Sequence, residues 1–295
     1  MRKQKRITPL QELTLLDRFL FDEAMEDRET CQAMLEIALE SEQEIKLYSS
    51  ESEKEMRTTP DLRAVRLDVF AQDEEDTIYN AETQGKNTGN LPRRSRYYQA
   101  HLDVTLLELG ETNFNALNDS FMIMIATFDL FGKGKYKYTF KMCCEEDSSI
   151  KLNDGAVRIF LNTKGTDPEG VSKELIDFLK YIEHPDGELV HSSGSSRIKK
   201  IHERVSRIKA SEEMGVKYMQ EWEEKIFIRE EGKQEGKQEG EALFAELTKE
   251  LLQESRTDDL LRAVNDKEFR ETLYKKYEIK KTILTHTPDR EEEHC

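Results

Sequence analysis

The chain has 295 residues and a mass of 34.5 kDa, with 61 acidic against 45 basic residues and a net charge of −16 at pH 7. That balance argues against a protein that coats nucleic acid, because phosphate neutralisation supplies most non-specific affinity; an enzyme that touches nucleic acid at one local basic site stays open. The length suits one large domain with an appendage or two small ones, and no apolar run approaches the ~20 residues that span a bilayer.

The basic start, residues 1–6, leads into Thr8-Pro9 and an amphipathic pattern rather than an apolar signal core. An intracellular, cytoplasmic protein without membrane attachment is therefore expected. Cys31, Cys143, Cys144 and Cys295 show no metal-ligand spacing such as Cys-x-x-Cys, so reduced thiols are expected.

Residues 10–26 place Leu10, Leu13, Leu16, Leu20 and Met25 near helical spacing with Asp17, Asp22 and Glu23 between them, which predicts a first amphipathic helix. Residues 30–47 repeat the pattern, with Thr30 as the expected cap. Residues 48–60 are polar and read as a loop.

Residues 67–70 and 77–84 are rich in apolar and β-branched residues and enclose a turn of Gln, Asp and Glu, so residues 66–84 predict a β-hairpin. Its carboxylates stand in unusual places. Asp68 lies between Leu67 and Val69, inside an apolar strand, where a bare carboxylate costs several kcal/mol unless something positive compensates. Glu82 and Gln84 share one face of the next strand, because strand side chains alternate. If Asp68 faces the same way, two carboxylates and an amide converge, which is a minimal kit for Mg²⁺, a cation that takes about six oxygens of which proteins typically supply one or two carboxylates. The plain alternative is a solvated hairpin face in an acidic chain.

A loop at 85–92 precedes Arg93-Arg94-Ser95-Arg96-Tyr97-Tyr98, which opens a helix expected to run to residue 110. Three arginines beside two tyrosines can grip phosphates and stack on a base; core tyrosines and arginines paired with nearby acids are the other reading. Residues 121–131 form a nearly continuous apolar run, as in a strand buried on both faces. Residues 135–143 alternate Tyr136, Tyr138, Phe140 and Met142 with lysines, and residues 155–161 predict a further strand. Helices, hairpin, helix and more strands in that order imply a mixed sheet flanked by helices.

A short helix is expected at 172–182, and His191-Ser-Ser-Gly-Ser-Ser196 reads as a flexible linker. The expected organisation is thus a domain over 1–193, a charged helical region over 194–284 and a disordered tail over 285–295. Within the second, residues 197–228 predict a charged helix. Residues 230–240 are a four-residue Gly-Lys-Gln-Glu repeat whose Gly232, Gly236 and Gly240 fall on nearly one helical stripe; a packing seam and a fraying spacer both fit. Apolar positions from Leu243 to Leu261 predict short helices that mediate self-association or a partner contact.

These residues resemble a family. Leu67-Asp68-Val69, Tyr79-Asn80-Ala81-Glu82-Thr83-Gln84, Arg94-Ser95-Arg96-Tyr97-Tyr98, the apolar stretch 123–131, Asp154-Gly155 and Leu161-Asn162-Thr163-Lys164-Gly165 together resemble the PD-(D/E)XK nuclease superfamily. Within it they are most similar to the Rpn family of recombination-promoting nucleases and transposases, over roughly residues 8–193. The resemblance implies an α/β, restriction-endonuclease-like fold with its acidic site where two strands diverge, followed by a C-terminal helical region. It also implies a Mg²⁺-dependent DNA endonuclease linked to recombination or mobile elements, with Asp68 and Glu82 as metal ligands. Gln84 stands where the superfamily has the lysine that orients the attacking water; glutamine carries no charge but can still hold a water. Arg94 and Arg96 are the expected phosphate contacts, with Asp17 and Lys86 as auxiliary candidates. A catalytically inactive nuclease-fold module that binds DNA or a partner protein is the alternative, and strand transfer a third reading.

Overall fold

Met122, Ile123, Met124 and Ile125 are wholly buried, as a strand covered on both faces requires. At about 1.5–3 kcal/mol per buried apolar side chain, this one run contributes on the order of 6–12 kcal/mol before chain entropy is charged against it. It lies at the heart of the computed structural model, which describes residues 7–56, 65–107 and 110–279. The chain divides into two compact units, Met1–Tyr218 and Met219–Cys295.

The first unit is built on a mixed sheet with six strands among the described residues: β1 (Leu47–Met56), β2 (Val65–Asp73), β3 (Ile78–Gln84), β4 (Ser120–Ala126), β5 (Lys137–Phe140) and β6 (Ala156–Asn162). Their order is β1-β2-β3-β4-β6-β5. The β1-β2-β3 pairs are antiparallel, β3-β4 and β4-β6 parallel, and β5 returns antiparallel on β6.

Helices cover both faces. Val69, Ala71, Tyr79, Ala81, Ile123, Ile125, Ile159 and Leu161 meet the apolar sides of α1 (Arg18–Met25), α2 (Arg28–Leu39), α4 (Lys173–Glu183) and α6 (Ser196–Ala210). On the opposite face Phe70, Ile78, Met122, Met124 and Phe160 pack with Leu91 and Leu102 of α3 (Leu91–Leu106). The expected restriction-endonuclease-like α/β architecture is the one found.

Several boundaries differ from expectation. The first predicted helix is broken: a 3-10 turn at Leu10–Glu12 precedes α1, and Asp17 is the residue before α1 rather than part of it. The second begins at Arg28, capped by Asp27, whose side chain accepts the Thr30 N–H at 3.0 Å, so Thr30 is not the cap. It ends at Leu39, where Glu40 turns left-handed (φ 55°). Residues 48–56, expected in a loop, form β1 together with Leu47, the expected end of the second helix; residues 57–60 of that loop lie outside the described residues. The strand expected over 121–131 stops at Ala126, and the helix expected to reach 110 stops at Leu106.

The expected linker at 191–196 is instead the end of α5 (Gly187–Ser193), a left-handed Gly194 (φ 68°), and Ser195, which caps α6. Ser195 Oγ accepts the Ile198 N–H at 3.0 Å, and α6 is a full member of the first unit, burying Ile198, Ile201, Val205 and Ile208 in its core. The division between units falls at 218/219, within α7 (Glu212–Gln253), and not at residue 193. In the second unit Leu247 and Leu251 form a small core with Ala263 of α8 (Thr257–Asn265) and Leu273 of α9 (Lys267–Lys276). The tail expected to be disordered, 285–295, lies outside the described residues. Cys31 is buried and its thiol is pushed up to about 12 by burial, which suits an inert core residue.

Candidate active site

The paired ladder between β2 and β3 ends at Val69↔Ala81. Just beyond, the backbone N–H groups of Asp68, one residue past Val69, and of Thr83, two past Ala81, would be orphaned inside the protein, and orphaned buried donors are rare because each costs about as much as a lost hydrogen bond. Each is met by the other strand's carboxylate. Asp68 N–H donates to Glu82 Oε1 at 3.3 Å, and Thr83 N–H donates to Asp68 Oδ2 at 3.4 Å. The strands part, and the two acids fill the gap.

Both side chains are buried, Asp68 to 7% exposure and Glu82 to 2%. Two arginines supply the compensating charge. Arg18 of α1 sets Nη2 3.0 Å from Asp68 Oδ1 and Nε 3.2 Å from Asp22 Oδ2, while Arg94 of α3 sets Nη2 3.2 Å from Glu82 Oε2. Arg94 also lies over the ring of Tyr98, 5.5 Å from its centroid. Burial nevertheless dominates. It pushes the Glu82 carboxyl up to about 8, with the nearby Asp68 carboxylate adding to the rise and Arg94 opposing it. Asp68 is also held above the usual carboxylate range by burial, against the pull of Arg18 and the Thr83 N–H.

The remaining candidates separate. Gln84 is the last residue of β3 and shares the Glu82 face by strand alternation; its carbonyl accepts the Thr127 N–H at 3.2 Å, which ties it to the end of β4. Lys86 lies beyond the strand end and is exposed, so it does not extend that face. Asp17 is occupied elsewhere: its Oδ2 accepts the Thr14 N–H at 2.8 Å in the turn before α1, and its charge acts on Lys209 and Tyr218. Arg96 is exposed on α3, whereas Arg94 is drawn onto the carboxylate it was expected to neighbour. Tyr98 packs on the second core cluster, and Tyr97, 40% exposed, meets the His101 ring edge-on at 4.5 Å.

Residues 18–230 match the model of a known family, described as PD-(D/E)XK nuclease family transposase. The chain belongs to that family. The matched stretch contains both carboxylates and both arginines. No curated protein matches the chain.

Sequence reasoning missed Arg18. Its signal was available in hindsight: a cation inside Leu15-Leu16-Asp17-Arg18-Phe19-Leu20-Phe21, an otherwise apolar segment, needs a buried anion to justify it. One such anion, Asp22, lies a helical turn away; what no spacing rule reveals is the second, Asp68, 50 residues on in strand β2.

The donor set suits a hard divalent cation. It offers two carboxylates at a strand divergence and, two residues along the same face of β3, a glutamine, with guanidinium groups already compensating the negative charge. Among the described residues no cluster of three or more His, Cys, Asp or Glu stands ready to cage a metal. A site of two carboxylates is what a Mg²⁺ ion completes with water and substrate phosphate.

Proposed function

We propose that this PD-(D/E)XK family member hydrolyses phosphodiester bonds of DNA with a divalent cation, Mg²⁺ in the first place, held by Asp68 and Glu82. The observation that carries the reading is the reciprocal arrangement of these two acids at the end of the β2-β3 ladder, where burial raises both carboxyls. A bound cation there supplies Lewis-acid polarisation of a phosphoryl oxygen and lowers the pKa of a coordinated water.

The chain's own residues do the rest. Arg94 and Arg18 lower the repulsion between the two acids and hold them in place, and each guanidinium can turn toward phosphate, for which its fork of donors is suited. Gln84 positions the attacking water through its amide, as acceptor and donor, without taking the proton itself. Arg96, exposed on the helix that carries Arg94, contacts flanking phosphate and sets the strand's path without reading its sequence.

One observation favours a second reading. Arg18 and Arg94 already compensate the two carboxylates, and Gln84 brings no positive charge, so a module that binds DNA without cutting it is served by the same residues. The separating experiment incubates supercoiled plasmid and single-stranded circular DNA with the full chain and Mg²⁺, beside EDTA and folded Asp68→Ala and Glu82→Ala controls. Hydrolysis predicts cleavage by wild type with Mg²⁺ alone, silenced in all three controls. Undiminished DNA binding by every sample with no cleavage in any metal would establish the binding module instead.

A further inference from the structure

The sheet face that carries Glu82 has a second feature. Strand register sets Glu82 of β3, Met124 of β4, Phe160 of β6 and Tyr138 of β5 in one row across the sheet. Neighbouring strands lie ~4.8 Å apart, so Phe160 stands roughly 10 Å from Glu82. Above it, the first turn of α3 and the segment that follows β4 leave a cavity of about 250 Å³. Three rings stand in its walls beside Pro92, Met142 and Ala156: Phe131 lies 5.0 Å from Phe140 and 5.4 Å from Phe160, and Phe140 lies 5.7 Å from Phe160. Phe140 is 44% exposed, so one ring is open to an incoming planar group.

The rim is charged. Lys141 and Arg158 line it together with Asp154. Lys141 is exposed and forms no ion pair among the described residues, and Arg158 Nε has no hydrogen-bond partner among them; Asp154, Asp103 and Asp129 are acids on this side, Asp129 accepting from the Phe131 N–H and the Tyr138 hydroxyl. Lys133, also exposed and without an ion pair among the described residues, stands on the segment that supplies Phe131. In a chain of net charge −16, three cations, two of them exposed lysines without an ion pair among the described residues, stand beside these aromatic faces.

Paired bases in a duplex present only their edges, whereas an aromatic-walled cavity offers a flat face. We infer that the cavity receives one unpaired base of the strand whose phosphate lies at Asp68 and Glu82, so that the substrate is single-stranded or locally melted DNA. The inference rests on the hydrolase reading for where that strand lies. Its energetics agree with the chain's charge: an acidic protein lacks the broad basic footprint that duplex binding draws on, and stacking with a few lysine contacts replaces it. Extracting a base from a duplex costs a few kcal/mol that a single strand does not pay.

The test uses the full chain in EDTA, so that binding is read without hydrolysis. The probes are a homothymidine strand with one 2-aminopurine and the same strand annealed to its complement. Binding is expected to change the emission of 2-aminopurine in the single strand and to be tighter than for the duplex. Phe140→Ala is expected to weaken single-strand binding by roughly 5- to 100-fold, with Phe140→Trp restoring it, and to leave duplex binding within about twofold. Equal binding of both forms, an unaltered Phe140→Ala, or no binding of either probe overturns the inference. Failure of hydrolysis alone leaves these readouts standing. Plasmid cutting retained by a Phe140→Ala that binds single strands like wild type leaves hydrolysis standing and removes the stacking site.

Discussion

At the scale of single residues, the site concentrates cost as well as chemistry. Glu82 titrates at about 8 in the folded chain against an ordinary 4.5, so between those values the native state binds more protons than the unfolded one. Stability from this group is complete below the unfolded value and is lost as pH rises through the folded one. Asp68, shifted the same way, acts with the same sign. The metal-free protein is therefore expected to melt at lower temperature at pH 8 than at pH 5.5. Mg²⁺ needs the carboxylates ionised, so its stabilisation should grow over the same window; thermal melts with Mg²⁺ and with EDTA across pH check both slopes. An equal Mg²⁺ increment at every pH would remove Glu82 from the ligand set. Glu82→Gln keeps the hydrogen-bonding shape without the charge: it should melt no lower than wild type at pH 8 while losing cleavage by at least a hundredfold. Arg94→Ala removes the charge that restrains the Glu82 shift and should move the rising limb of the pH-rate profile upward, a readout separate from any loss of DNA contact. Asp68 and Glu82 were legible because each sits where an apolar residue belongs. Their neutralising arginines were not, since an ion pair between an N-terminal helix and a strand 50 residues later leaves no local periodicity. For Arg94 the sequence left phosphate contact and pairing with a nearby acid both open, because its partner depends on how α3 crosses the sheet.

At the scale of elements, legibility followed burial. The doubly buried β4 and the amphipathic α4 and α6 declare themselves by composition, whereas β1, Leu-Tyr-Ser-Ser-Glu-Ser-Glu-Lys-Glu-Met, reads as a loop. The reason is its place: among the described strands β1 lies at the sheet's edge, and charged residues along an edge keep it from pairing with other chains. Its strand identity comes from the partner, eight registered positions on β2, which local propensity does not encode. The turn into β6 is stricter. Gly155 has φ of +74°, and a Cβ there would meet Asp119 Oδ1 at 2.2 Å. Gly155→Ala combines a left-handed alanine with that clash and should cost about 1–3 kcal/mol, measured by urea unfolding. A cost within error would mean that Asp119 swings away freely. The glycine stripe of α7 behaves oppositely. Gly232, Gly236 and Gly240 are helical with nothing within 4 Å of an added Cβ among the described residues, so each sacrifices about 1 kcal/mol of helix propensity that no close packing there offsets. Replacing all three with alanine should raise helical ellipticity and leave DNA cleavage unchanged.

At the scale of the whole molecule, the first unit holds both acids, both arginines and the aromatic cavity, together with a core that runs from Leu10 to Ile208. The second unit has its own small core, and that core uses up part of what the sequence offered for self-association: Leu247 and Leu251 are buried, whereas Leu252, Leu261 and Val264 remain exposed. We propose that self-association through the C-terminal region uses these exposed positions. A chain ended after Glu230 retains the whole first unit and the full stretch that matches the family. It should unfold cooperatively, because none of the first unit's buried core residues lies beyond Ile208, and it should keep Mg²⁺-dependent cleavage. Light scattering then separates the two roles. A full chain at a multiple of 34.5 kDa, with the shortened chain and a Leu252→Lys, Leu261→Lys double variant both monomeric, assigns association to the second unit. A monomeric full chain would leave the exposed leucines without that role. A shortened chain that still associates would move the interface into the first unit, where each copy's cleavage site would have to be considered beside its neighbour's.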